Sequence, residues 1–180
     1  MKAFKVILPI MILLCACDPT HTNSSINTDI NMYYDSVFTF ADIQWHKQYY
    51  PLLDRQVFSI DLLTEGLAFD SAYQITGTGI NLYFSDIFLP ITDNTLQDGV
   101  YHIDSTANAF TCLPYKYFEG NITGCYLLDI QEDKIQRIIG FTTGKLEIAT
   151  SEDNIHLNVS LYTPDSTHYR ATYDGPAMYR

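Results

Sequence analysis

From residue 32 onward the chain repeats one pattern, and that pattern constrains its fold more than any other feature. Apolar side chains recur at every second position, in runs of five to nine residues. Phe58, Ile60 and Leu62 alternate with Ser59, Asp61 and Leu63; Ile80, Leu82 and Phe84 alternate with Asn81, Tyr83 and Ser85. Leu146 and Ile148 flank Glu147, and Ile155, Leu157, Val159 and Leu161 interleave with His156, Asn158, Ser160 and Tyr162. Tyr169, Ala171 and Tyr173 alternate with His168, Arg170 and Thr172. A period of two places alternate side chains on opposite faces of an extended strand, one face dry and one wet. Turn formers bound the runs, among them Gly77-Thr78-Gly79, Asp98-Gly99, Glu119-Gly120-Asn121 and Pro164-Asp165-Ser166. The expectation is one all-β domain over 32–180, a single antiparallel β-barrel or β-sandwich of about eight to ten strands. The single helical expectation is one turn within Gln131–Ile139 (QEDKIQRII).

The first residues differ in kind. Lys2 and Lys5 precede an apolar run from Val6 to Ala16 that is too short to span a bilayer as a helix. A basic start, an apolar middle and small residues at the cut have the form of an export signal. Leu14-Cys15-Ala16-Cys17 resembles the bacterial lipobox, in which Cys17 is lipidated and becomes the first residue of the mature chain. Residues 1–16 are then a lipoprotein signal peptide, and the polar, unpatterned residues 17–31 a flexible tether. The expected location is the cell envelope, with a lipid anchor in its outer membrane. Full-length net charge is −11, and loss of Lys2 and Lys5 takes it to −13. So acidic a body excludes nucleic acid as a partner, because phosphate binding needs a basic face.

With Cys15 removed and Cys17 lipidated, Cys112 and Cys125 remain. Two leftover thiols in an exported protein favour a disulfide; the alternative is two buried free cysteines.

Four stretches carry a family resemblance: YQITGTGINLYF (Tyr73 to Phe84), LQDGVYHID (Leu96 to Asp104), FTTGKLEIAT (Phe141 to Thr150) and YRATYDGPAMY (Tyr169 to Tyr179). Over about residues 55–180 the chain resembles the small all-β lipoproteins of gut Bacteroidota described as calycin-like or lipocalin-like. The resemblance implies an architecture and an envelope location, and it supplies no catalytic residue. It places Gly79, Gly99, Gly144 and Gly175 at turns or strand bends. The triplets beginning Asp35-Ser36, Asp70-Ser71, Asp104-Ser105 and Asp165-Ser166 resemble the O-glycosylation acceptor of exported proteins in that phylum, making Ser36, Ser71, Ser105 and Ser166 candidates. Asp-Ser is also ordinary turn chemistry.

Motifs for catalysis are lacking. There is no HExxH and no Gly-x-Ser-x-Gly, and Gly77-Thr78-Gly79 is followed by no lysine of a phosphate loop. His102 and Asp104 share one side of a strand and read as a solvated pair, so neither a metal nor a cofactor is expected. The aromatic fraction, 14% with fourteen tyrosines, is the suggestive excess. Tyrosine and tryptophan offer flat apolar faces with a polar rim, suited to sugar rings. Trp45, Tyr49 and Tyr50, with Tyr115 and Tyr117, are the candidate ligand surface. The expected role is non-catalytic binding of a glycan or protein. The alternatives are an assembly subunit of an envelope complex and a small hydrolase.

Overall fold

The computed structural model of the chain describes residues 36–46, 55–90 and 95–180. Its strands are β1 (Phe38–His46), β2 (Gln56–Thr64), β3 (Leu67–Phe69), β4 (Ile75–Gly77), β5 (Gly79–Leu89), β6 (Gly99–Ile103), β7 (Thr111–Cys112), β8 (Lys116–Phe118), β9 (Asn121–Thr123), β10 (Cys125–Gln131), β11 (Lys134–Gly140), β12 (Thr143–Thr150), β13 (Ile155–Tyr162), β14 (His168–Gly175) and β15 (Ala177–Tyr179). None of the described residues is helical. The alternation therefore identified the fold class correctly.

Eleven strands form one sheet that curls into a nearly closed barrel. β1, β2 and β5 pair antiparallel in that order. β6, β12, β13 and β14 form a second antiparallel run. Short β7 joins the two, antiparallel to β5 and parallel to β6. The C-terminal strand closes the ring: after Gly175 and Pro176 it leaves β13 and continues as β15, parallel to β1. Val37 bridges Thr172 at the same seam, and Trp45 and Arg180 extend the pairing through Trp45 N–H to Arg180 O (2.8 Å) and Arg180 N–H to Ile43 O (2.9 Å). The expected strands are mostly antiparallel, and the closure is by parallel pairing. Gly144 sits at φ +133°, where a Cβ would lie 2.3 Å from the Ser160 carbonyl oxygen, so only glycine fits between β12 and β13 there.

β5 is where the sheet forks. Phe58 of β2 opposes Ile87 and Ile60 opposes Phe84, so Ser59 faces both Ser85 and Asp86 across a β-bulge. The extra residue shifts the alternation by one. Leu82 and Phe84 before it and Ile87 and Leu89 after it all enter the core. On the other edge of β5, residues 79–84 pair with β10 and residues 87–88 with β7. β10 and β11 then leave the barrel as a hairpin.

That hairpin replaces the helical turn expected in Gln131–Ile139. Glu132 and Asp133 both adopt left-handed φ (49° and 63°), a two-residue reversal whose twist suits a β-hairpin, and the apolar residues after it belong to β11.

The barrel interior is filled. Ile43, Ile60, Leu62, Leu82, Phe84, Tyr101, Leu127, Phe141, Leu146 and Leu157 are all buried in one apolar cluster. Complete burial at these positions contributes the main favourable term of folding, about 25 cal/mol for each Å² of apolar surface removed from water.

Candidate functional site

On β12, β13 and β14 the outward side chains are mainly exposed, as a two-faced strand predicts. On β2 they are not. Val57, Ser59, Asp61 and Leu63 are as buried as their inward neighbours, and Asn81 of β5 and Asp42 of β1 join them. The expectation of a wet outer face fails here because two hairpins cover it. β3–β4 lays Leu67, Phe69 and Ile75 against Leu63, and β10–β11 adds Leu128 and Ile130.

Between these hairpins the outer face holds a cleft. Asp61 and Asn81 lie on its floor, 7% and 1% exposed. The Asn81 Nδ2 donates to Asp61 Oδ1 at 2.9 Å. Phe69, Tyr73, Gln74 and Ile75 form one wall, and Leu128, Ile130, Asp133 and Ile135 the other, around a depression of about 440 Å³. A second depression of about 350 Å³ continues past it, lined by His46, Ser85, Asp86, Leu113, Ile122 and Thr123. Tyr83 and Tyr126 line both. These tyrosines are cross-strand partners on β5 and β10, with ring centroids 5.2 Å apart and planes tilted by 56°.

The polar groups beneath are ordered by one another. Ser59 Oγ lies 2.9 Å from His46 Nε2 and is also bonded to the Tyr83 hydroxyl. Desolvation pushes the Tyr83 hydroxyl up to about 12 and raises that of Tyr126, so both are neutral donors at physiological pH. Asp42 is fully buried opposite Asp61. Arg180 clamps it with two hydrogen bonds, Nε to Oδ1 at 2.8 Å and Nη2 to Oδ2, and Gln44 Nε2 adds a third at 3.0 Å. The guanidinium also lies over the rings of Tyr73 (4.2 Å) and Phe69 (5.2 Å), tying the C-terminal strand to the β3–β4 hairpin. Among the described residues Asp61 makes no ion pair of its own. Burial, reinforced by the nearby Asp42 charge, raises its carboxyl to about 7, against the lowering effects of the Asn81 hydrogen bond and the Arg180 charge.

Of the expected ligand surface, Trp45 is half-buried and packs on the barrel core rather than lining the cleft. Tyr115 is half-buried with its ring against Gly140. Tyr117 is 62% exposed on the β8–β9 hairpin, which reaches the cleft through Ile122 and Thr123 instead. Tyr49, Tyr50 and Cys17 lie outside the described residues. The lining aromatics are Phe69, Tyr73, Tyr83 and Tyr126. Tyr83 and Tyr126 fall on outward positions of their strands, a signal present in the sequence but drowned among so many tyrosines.

Cys112 and Cys125 are free, fully buried thiols in this structure, both raised in pKa by desolvation. They oppose Ile87 and Phe84 of β5 respectively, and the Cys112 thiol adds to the rise at Cys125. Ser71, Ser105 and Ser166 are exposed on turns, and Ser36 is half-exposed before β1. In each of the three turns the preceding aspartate accepts from backbone amides: Asp70 from Ala72 and Gln74, Asp104 from Thr106, Asp165 from Thr167. The three Asp-Ser pairs thus serve as turn formers, and their serines stay exposed. Asp104 is turned into its own loop, away from His102, and no grouping of three or more metal-ligating side chains occurs among the described residues.

No family model, curated protein or solved structure matches this chain.

Proposed function

We propose that this chain is a lipid-anchored envelope protein that binds glycan, without transforming it, through the cleft outside its barrel. The observation that carries the reading is the Asp61–Asn81 pair on the cleft floor beneath two tyrosines. With the Asn81 Nδ2 donating to Asp61 and to the Leu62 carbonyl, the pair offers oxygen acceptors to sugar hydroxyls, and the tyrosines supply hydroxyl donors and apolar ring faces. The depressions, at 350 and 440 Å³, fall in the size range of small-molecule sites. Among the described residues the barrel interior is taken up by its own apolar side chains, whereas the outer face carries this cleft.

The test is a glycan array probed with the full chain and with Asn81→Ala. Binding that falls tenfold or more in the variant supports the reading; equal signals from both proteins refute the site. For the anchor, labelling of cells with palmitate is expected to mark the protein and to vanish in Cys17→Ala.

A hydrolase reading draws on one observation. Asp42 and Asp61 face each other across β1 and β2, one clamped by arginine and the other with its carboxyl raised by burial. Paired carboxyls in contrasting environments are the usual acid–base arrangement of glycosidases. Asp42, however, is sealed beneath Arg180 and has no exposed surface to offer a substrate. Incubation with bound glycan is therefore expected to release no new reducing ends.

A further inference from the structure

We infer that the cleft holds a linear, uncharged oligosaccharide across two subsites, one on either side of the Tyr83–Tyr126 pair. The inference rests on the glycan reading and specifies the ligand's length and charge. Three observations support it. First, the two depressions share only these tyrosines, so the pair lies at the junction between them. A ligand confined to one side would leave half of the aromatic surface unused, whereas a chain laid over the junction contacts both rings.

Second, each side carries its own hydrogen-bonding set. The larger has Asp61 and Asn81; the smaller has Asp86 and Ser85, where Ser85 Oγ accepts from Gly124 N–H at 2.7 Å and donates to Asp86. Either set can orient one sugar ring, and a chain that spans both gains the second set without a second loss of translational freedom.

Third, the charge is one-sided. Asp133 and Asp86 line the cleft beside the raised carboxyl of Asp61, and among the described residues His46 is its one basic side chain, with no lysine or arginine. The nearby Arg180 is committed to Asp42. Uronate, sialate or sulfate groups would be set against carboxylates in a chain of net charge −11, which selects against anionic glycans.

The experiment is calorimetric titration of the full chain with cello-, xylo- and manno-oligosaccharides of one to six units, and with oligogalacturonates and heparin oligomers as anionic probes. The expected result is at least a tenfold gain in affinity from the monosaccharide to a longer neutral oligomer, then a plateau, with no binding of the anionic series. Thr123→Trp, at an exposed rim position, fills the smaller subsite and is expected to abolish the length gain while sparing monosaccharide affinity. Gln74→Trp on the opposite rim is expected to weaken even the monosaccharide. Equal affinity for one unit and six overturns the two-subsite inference while leaving glycan binding intact, and preference for the anionic probes overturns the charge argument. Failure of every glycan to bind, on the array as well as by calorimetry, overturns the functional reading itself.

Discussion

The inner face of the β1–β2–β5 sheet is buried and apolar, whereas the outer face buries polar groups beside Val57 and Leu63. Inward lie Ile43, Ile60, Leu62, Leu82 and Phe84, all apolar. Outward, at the same depth from solvent, lie Asp42, Ser59, Asp61 and Asn81. Burying the first set stabilises the fold directly. Burying the second costs free energy unless each group finds a partner, and here partners are provided: Arg180 and Gln44 for Asp42, Asn81 for Asp61, His46 and Tyr83 for Ser59. A fold that needed only stability would be served by apolar residues on both faces. The difference teaches that the inner face is held by packing alone, whereas the outer face is held by paired polar groups as well.

The comparison breaks if the inner face can be thinned cheaply. Phe84→Ala should cost about 3–5 kcal/mol in urea unfolding, as expected for deleting a fully buried aromatic side chain. The outer face should respond through charge rather than volume. Arg180→Ala strands a buried carboxylate and is expected to cost roughly 2–4 kcal/mol, with much of the loss recovered when Asp42→Asn is added. A small effect of the single change, or no recovery in the double, would separate this clamp from the fold's stability.

Asp61 sharpens the contrast further. Its folded pKa is raised from 3.8 to about 7. Below the lower value both states are protonated and no penalty exists. Between the two the unfolded carboxyl ionises while the folded one resists, so stability falls as pH rises, and the penalty is complete above about 7. Asp61→Asn is expected to raise stability at pH 8 by about 1–3 kcal/mol and to flatten the slope between pH 4 and 7, while weakening ligand binding. A gain in stability paired with a loss of binding is the mark of a residue kept for function. The smallest effect is expected at Tyr117→Ala, about 0.5 kcal/mol or less and with unchanged glycan affinity, since that ring is exposed and outside the cleft.

The strands were legible because period-two alternation depends only on local geometry. Ile155 to Tyr162, for example, shows alternate burial along almost its whole length. The cleft was not legible, for a reason equally physical. Ser59, Asp61 and Asn81 read as ordinary wet-side residues until the β3–β4 and β10–β11 hairpins are known to fold over them. The β10–β11 hairpin departs at the fork beside the Ser85–Asp86 bulge, which sequence shows only as one broken beat between Phe84 and Ile87. Likewise Gln131–Ile139 contains a helix-compatible spacing, and the left-handed Glu132-Asp133 reversal overrides it. Trp45 offers the flat face expected of a ligand surface, yet the barrel uses it for packing.

The most direct test is NMR mapping on the isotopically labelled full chain, titrated with the strongest-binding neutral oligosaccharide. Perturbed signals are expected to gather at Asp61, Asn81, Tyr83 and Tyr126, and to leave Tyr117 and Phe118 unmoved. Perturbations centred on the β8–β9 hairpin, or on residues inside the barrel such as Leu146 and Val159, would contradict a glycan site on the outer face.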